Sequence, residues 1–194
     1  MDDSLLTYED DTNVTKETEA SLSYEEKKPS KAINLKNHII TAISLNLMEI
    51  IKDNSCYEDF ISKDKFFLDR IPSISLNDYI KRLVKYTGMD ISTLINAIIY
   101  IDTLCEKNNY ILSMKNIYLL LLSSCLLSLK INEDIKINLK SYAQIAGISL
   151  EILKNLEYSF CLYMQFEFFV KNELYQSYSD YFSNYEIPYS NEGK

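Results

Sequence analysis

The chain has 194 residues with only three glycines and three prolines, a composition that favours helices because these two residues most often interrupt them. Its formal net charge of −8 is uneven: residues 1–30 hold nine acidic and three basic residues, and the remainder holds 19 acidic and 17 basic residues. Since no basic stripe is present, the charge argues against nucleic acid or an anionic membrane as the main partner.

The two ends of the chain are predicted to be polar segments around one folded domain. Residues 1–33 are acidic, rich in Ser and Thr and nearly free of large apolar side chains, which predicts a disordered tail. The folded domain is predicted over residues 34–172. Its first helix is NHIITAISLNLMEIIKDN, whose apolar residues recur with helical spacing, and Pro72 then marks an extended link. A last helix, NELYQSYSDYF, and a polar tail are predicted over residues 173–194.

Five successive helices are predicted between residues 75 and 166, and no strand-like alternation is present. In chain order they are SLNDYIKRLVKYTG, DISTLINAIIYIDTLCEKN, SMKNIYLLLLSSCLLSLK, NLKSYAQIAG and ISLEILKNLEYSFCLYMQF. The predicted residues at their ends are Ser75, Asp90, Ser113 and Ser149 as N-caps, and Gly88 and Gly147 as C-terminal glycines. The predicted fold is therefore all-α.

The third of these helices is apolar on nearly every face over residues 117–129. A transmembrane span needs about 20 apolar residues, and this run is shorter and carries Ser123 and Ser124 in its middle. A short helix that is hydrophobic all round is typical of the centre of a larger bundle. We therefore predict one central helix with the other helices packed around it, and no membrane partner.

The cysteines and the single histidine give no sign of a metal site or a cofactor. Cys56, Cys105, Cys125 and Cys161 are far apart in sequence, and His38 is the only histidine. Three of the cysteines fall inside apolar runs and no CxxC motif is present, which favours buried thiols in a reducing compartment over zinc ligands. The start, MDDSLLTYEDD, has no secretory signal pattern, so an intracellular location, cytoplasmic or nuclear, is expected.

Two charged residues stand at the border of the predicted core. Lys130 ends the central helix, and Glu157 lies beside the apolar row of the fifth helix. Lys130 is favoured there by the helix dipole alone, and Glu157 fits an ordinary solvated position. Alternatively, both lie at the rim of an exposed apolar surface and present charge to a partner protein.

The second half of the chain resembles the cyclin box, in particular that of the PHO-type (P/U-type) cyclins. The family pattern N-V-H-R-L-L, A-x-K-F-x-D-D, N-x-x-x-A-x-V-G-G-I-S, E-L-N-x-L-E-x-x-F-L and F-x-L-x-V runs in the same order here. The positions that match it are Asn116, Ile117, Lys130, Glu133, Asp134, Ala143, Ile145, Gly147, Ile148, Ser149, Leu156, Glu157, Phe160, Phe166, Phe168 and Val170.

Upstream segments extend the resemblance to about residues 36–170. ISLNDYIKRL is similar to the family's I-S-I-x-x-Y-L-x-R-I, and YIDTL is similar to its Y-I-D-R-L. The chain departs from the pattern at Thr103 and Leu119, where the family has arginine, at Ala146, where it has glycine, and at Ile152, where it has glutamate. The substrate-docking motif of cell-cycle cyclins is also missing, so no docking patch of that kind is expected.

The resemblance implies a five-helix cyclin box with flanking helices that forms a heterodimer with a cyclin-dependent kinase and is not itself an enzyme. In the family, the matching lysine and glutamate form a paired platform that contacts the kinase around its C-helix. It therefore implies kinase-binding roles for Lys130 and Glu157, within a surface that also holds Ile131, Cys161, Phe166 and Phe168. In PHO-type cyclins an acidic residue just after the lysine can approach the activation segment of the kinase, which implies a kinase-binding role for Asp134. An ordinary solvated loop acid is an equal alternative for this residue.

Three other functions fit the sequence less well. A cyclin-fold adaptor that binds without activating a kinase would fit the missing arginines. A helical DNA-binding protein would need a basic face, which the chain does not have. An enzyme that uses Asp78, Glu173 or the C-terminal tyrosines as acid–base groups is disfavoured, because the spacing of these residues is typical of surface and core positions.

Overall fold

The computed structural model describes residues 31–134 and 137–188. The predicted tail lies outside these residues except for its last three positions, which form the start of the first helix. The helices are α1 (Lys31–Asp53), α2 (Leu76–Thr87), α3 (Ile91–Asn108), α4 (Ile117–Asn132), α5 (Leu139–Ile145), α6 (Leu150–Tyr163) and α7 (Asn172–Ser183), with a short 3₁₀ segment (Asn54–Phe60) after α1. The described residues contain no strand, and the predicted all-α fold is confirmed.

The central helix of the bundle is α4. Every residue from Ile117 to Leu129 is buried, and the helix packs against α2, α3 and α6. The two serines in its middle are accommodated because each hydroxyl donates to a carbonyl of the same helix, Ser123 to Leu119 O at 2.9 Å and Ser124 to Leu121 O at 3.2 Å. No helix in the described part of the chain is long and apolar enough to span a membrane.

The capping residues Ser75, Ser149 and Gly88 lie at the helix ends that the sequence predicts. Ser75 Oγ accepts from the Asp78 N–H and Ser149 Oγ accepts from the Ile152 N–H, so both serines cap their helices as predicted. Gly88 follows α2 with φ +72°, a left-handed conformation that glycine adopts without steric cost.

The predicted cap at Ser113 was wrong, whereas Asp90 lies at its predicted N-cap position. Helix α4 begins at Ile117 and has Asn116 at its N-cap position, while Ser113 lies one turn earlier and opens the turn that leads into the helix. Asp90 does occupy the N-cap position of α3, but its side chain makes no capping hydrogen bond. The backbone N–H of Asp90 donates to Glu133 Oε1 at 3.0 Å, so a side chain 43 positions away in sequence satisfies this donor.

Helices α1 and α7 flank the five-helix box. Helix α7 packs against α1 and α3, with Phe182 fully buried. Tyr178 Oη donates to Asp102 Oδ2 of α3 at 2.7 Å, and Asn46 Nδ2 of α1 donates to Tyr181 Oη at 3.0 Å. The tyrosines of α7 therefore join the helix to two neighbours through their hydroxyl groups, and Phe182 supplies its apolar anchor.

Candidate functional site

The Lys130 and Glu157 side chains form an ion pair between the central helix and α6. Lys130 lies in the last turn of α4, and its Nζ donates to Glu157 Oε1 at 2.5 Å. The side chains are 33% and 20% exposed, respectively. The pair is formed within the chain, and both side chains still reach solvent. Because one hydrogen bond joins them, Lys130 keeps spare N–H donors and Glu157 keeps a spare acceptor oxygen.

Apolar side chains follow Glu157 along α6 and in the turn after this helix. Cys161 is one helical turn after Glu157 and is half-buried. Burial, followed by the charge of Glu157, raises the pKa of the Cys161 thiol, so this cysteine is an apolar contact rather than a nucleophile. The N–H of Phe166 donates to Cys161 O at 2.9 Å, and the Phe166 side chain is 61% exposed.

Ile131 and Phe168 lie together along a shallow groove of about 810 Å³ next to the end of α4. Ile131 is half-exposed, and Phe168 packs edge-on against Tyr100 of α3 with ring centroids 5.3 Å apart. Phe169 also lines the groove and is the most exposed large apolar side chain of the described residues, at 87%. No charged side chain lines this groove, so an apolar partner surface suits it best.

Asp134, another predicted site residue, lies in the segment that follows the central helix. It is exposed two residues after α4, and no described contact connects it with Lys130 or Glu157. The neighbouring acid, Glu133, is occupied by the N–H of Asp90. Of the two acids that follow the central helix, Asp134 is therefore the one oriented toward solvent.

Sequence reasoning missed Phe169 and two exposed apolar residues of α6. Tyr158 and Leu162 are 61% and 51% exposed, and each immediately follows a predicted site residue, Glu157 or Cys161. They are four positions apart, so they share one face of the helix. This spacing was readable from the sequence and would have extended the predicted surface. Within the described residues, no group of His, Cys, Asp or Glu side chains is placed to hold a metal ion.

The family model for cyclins matches residues 4–168 of the chain. The chain belongs to the cyclin family. Members of this family are regulatory subunits and are not themselves enzymes.

Relatives of this cyclin include plant U-type and yeast PHO85-type cyclins. It is 29% identical to Cyclin-U2-1 of Arabidopsis thaliana over 63% of its own length and 55% of that protein's. It is 24% identical to PHO85 cyclin-like protein psl1 of Schizosaccharomyces pombe, over 91% and 75% of the two lengths. It is 25% identical to PHO85 cyclin-7 of Saccharomyces cerevisiae, over 75% and 56% of the two lengths.

These relatives confirm the predicted resemblance to PHO-type cyclins. The cyclin spans 55% of the length of Cyclin-U2-1 and 64% of the length of Cyclin-U4-3 of Arabidopsis thaliana. The helices of the matched region, α1 to α6, carry both members of the Lys130–Glu157 pair.

Proposed function

We propose that this cyclin binds a cyclin-dependent protein kinase and activates it by positioning the kinase C-helix and activation segment. The observation that carries the proposal is the solvent-reaching Lys130–Glu157 pair with exposed apolar side chains beside it. The proposed contact surface holds Lys130, Glu157, Ile131, Asp134, Cys161, Phe166 and Phe168. Tyr158, Leu162 and Phe169 extend it.

The chemistry of this surface suits the end of a helix in a partner protein. One hydrogen of the Lys130 ammonium group is used by Glu157, which leaves two for backbone carbonyl groups of the partner. The second oxygen of Glu157 can accept from a backbone N–H. Since the pair already exists in the free cyclin, little ordering is needed when it is covered. The apolar residues supply the buried area and the pair fixes the register.

Activation would follow from a shift between kinase conformations. A kinase needs its C-helix glutamate and its metal-binding aspartate in place at the same time. A cyclin surface that binds the competent arrangement more tightly than the other arrangements raises the population of that arrangement. The cyclin itself contributes no reacting group.

A second function, a cyclin-fold adaptor that binds a kinase without activating it, is supported by two departures from the family pattern. Thr103 Oγ1 donates to Ile99 O of its own helix at 2.7 Å, and Leu119 is buried, with 8% of its surface exposed. Both positions carry arginine in the family pattern, and here neither presents a charge. Any contact that those arginines make is therefore absent from this chain.

The domain layout, partners and location complete the proposal. Residues 34–172 would form the cyclin domain, with an acidic tail before it and a C-terminal helix and polar tail from residue 173 onward. The kinase would be a one-to-one partner in an intracellular compartment, and neither nucleic acid nor a membrane would be bound. The charge balance of the chain supports the exclusion of nucleic acid.

Co-purification with each cyclin-dependent kinase of the source organism tests the function directly. A phosphorylation assay with and without the cyclin should follow. Stoichiometric binding with stimulated activity supports the activating cyclin, and binding without stimulation supports the adaptor. If no kinase is retained, the proposal is wrong and the family membership describes the fold alone.

A further inference from the structure

The turn that carries Phe166 is unusual in its backbone. Helix α6 ends at Tyr163, and two consecutive residues that are not glycine, Gln165 and Phe166, then have φ values of +55° and +59°. The left-handed region is unfavourable for residues with a side chain, so such a pair persists only where its surroundings hold it. The Phe166 side chain is 61% exposed, so packing does not hold this residue in place.

Polar side chains at the end of α3 support the turn in addition to its own backbone hydrogen bonds. Lys107 Nζ donates to Met164 O at 3.3 Å and to Glu167 Oε2 at 2.5 Å, so it contacts the chain on both sides of the left-handed pair. Asn108 Nδ2 donates to Tyr163 O at 3.1 Å. Tyr163 O and Met164 O lie at the C-terminal end of α6, where a positive charge is favourable, and Met164 O also accepts from the Glu167 N–H at 3.0 Å.

The contact with Lys107 also favours the ionised form of Glu167. The hydrogen bond from Lys107, and then its positive charge, lower the pKa of the Glu167 carboxyl. Directly after Glu167 comes Phe168, which packs against Tyr100. The segment is therefore anchored before and after Phe166, while Phe166 itself projects outward.

We propose that Lys107 is a positioning residue for the partner-binding surface: by bridging Met164 O and Glu167 it holds the turn that presents Phe166. This inference rests on the proposed kinase-binding function. It assigns Lys107 no contact with the kinase. Its effect is to keep the free cyclin in the conformation that binds, and apparent affinity scales with the fraction of molecules in that conformation.

Amide hydrogen exchange and kinase affinity, measured on the same variants, test the proposal. In Lys107→Ala, the N–H groups of Gln165, Phe166 and Glu167, which donate to carbonyl groups of residues 161–164, should exchange faster. If the turn is then formed in a tenth of the free molecules, kinase affinity falls about tenfold, with contacts in the complex unchanged. Lys107→Arg keeps a cationic donor and should stay near wild type.

A second substitution separates positioning from direct contact. Gln165→Gly relieves the backbone cost of the left-handed conformation without restoring a cation. Added to Lys107→Ala, it should recover most of the lost affinity and slow the exchange again. Lys81→Ala removes a surface lysine of α2 that has only a 3.9 Å ion pair with Asp78, and it should change neither measurement.

The outcomes distinguish this inference from the proposed function. Unchanged exchange in Lys107→Ala overturns the role of Lys107 in holding the turn. Faster exchange with full kinase affinity, or lost affinity that Gln165→Gly does not recover, overturns its role in binding. If the wild-type cyclin retains no kinase, the proposed function and the binding role fail together, and the exchange measurement alone then decides whether Lys107 holds the turn.

Discussion

Replacing Lys130 with alanine removes the ammonium group that lies 2.5 Å from Glu157 Oε1. In the free cyclin the effect on folding should be small, because both side chains reach solvent and such pairs contribute about 0–1 kcal/mol to the free energy of unfolding. In a complex that covers the pair, loss of one partner leaves the other charge without its counterpart, at a cost of about 2–5 kcal/mol. The dissociation constant should therefore rise by about 30-fold or more, since each 1.4 kcal/mol is a factor of ten.

Titration calorimetry with the co-purified kinase and a urea melt of the free cyclin measure the two effects separately. Lys130→Ala, Glu157→Ala and the double variant form a cycle, and the two single losses should sum to more than the loss in the double variant, because both remove the same interaction. Lys81→Ala serves as the control, since its pair with Asp78 is longer and lies on α2. Full kinase affinity in the double alanine variant would refute the assignment of the site.

Three further outcomes concern the fold. Phe160→Ala should lower the free energy of unfolding by about 3–5 kcal/mol in urea melts, because the ring is fully buried and a cavity would remain. Tyr142→Phe should cost about 1–3 kcal/mol in the same assay, since it removes the buried donor to Leu122 O at 2.8 Å. Burial raises the pKa of the Asp102 carboxyl above its ordinary value of 3.8, against the lowering effect of the hydrogen bond from Tyr178. The folded state therefore binds the proton more tightly than the unfolded state, and wild type should lose stability as the pH rises from 3.8 through the raised pKa. Asp102→Asn should remove that loss in melts at a series of pH values, and an unchanged pH profile would show that the carboxyl is not perturbed.

The elements that sequence reasoning placed correctly depend on short-range signals. The unbroken apolar run of α4 has only one stable position in a helical bundle, which is its centre. The serine at position 149 caps α6 because its hydroxyl reaches an N–H three residues later, a distance that the sequence itself contains. Such features need no knowledge of the tertiary structure.

Several of the features that were missed depend on contacts between residues far apart in sequence. Glu133 satisfies the N–H of Asp90 across 43 positions, and Lys107 reaches Glu167 across 60. Ser113 looked like the cap of α4 because nothing local showed that the turn after it would place Asn116 at the N-cap. The Lys130–Glu157 contact, 27 positions apart, was expected through the family resemblance and not from helical periodicity.

Leu129 and Lys130 are neighbours in α4, but substitutions at the two positions should have different effects. Thirteen successive residues of α4 have no face toward solvent, so only changes that conserve volume and apolar character should survive there. At Lys130 the side chain reaches solvent, so substitutions should leave the protein folded while altering what it binds. If Lys130 contacts a partner as proposed, partner choice can change at the last turn of the helix while packing constrains the preceding turns and so preserves the fold.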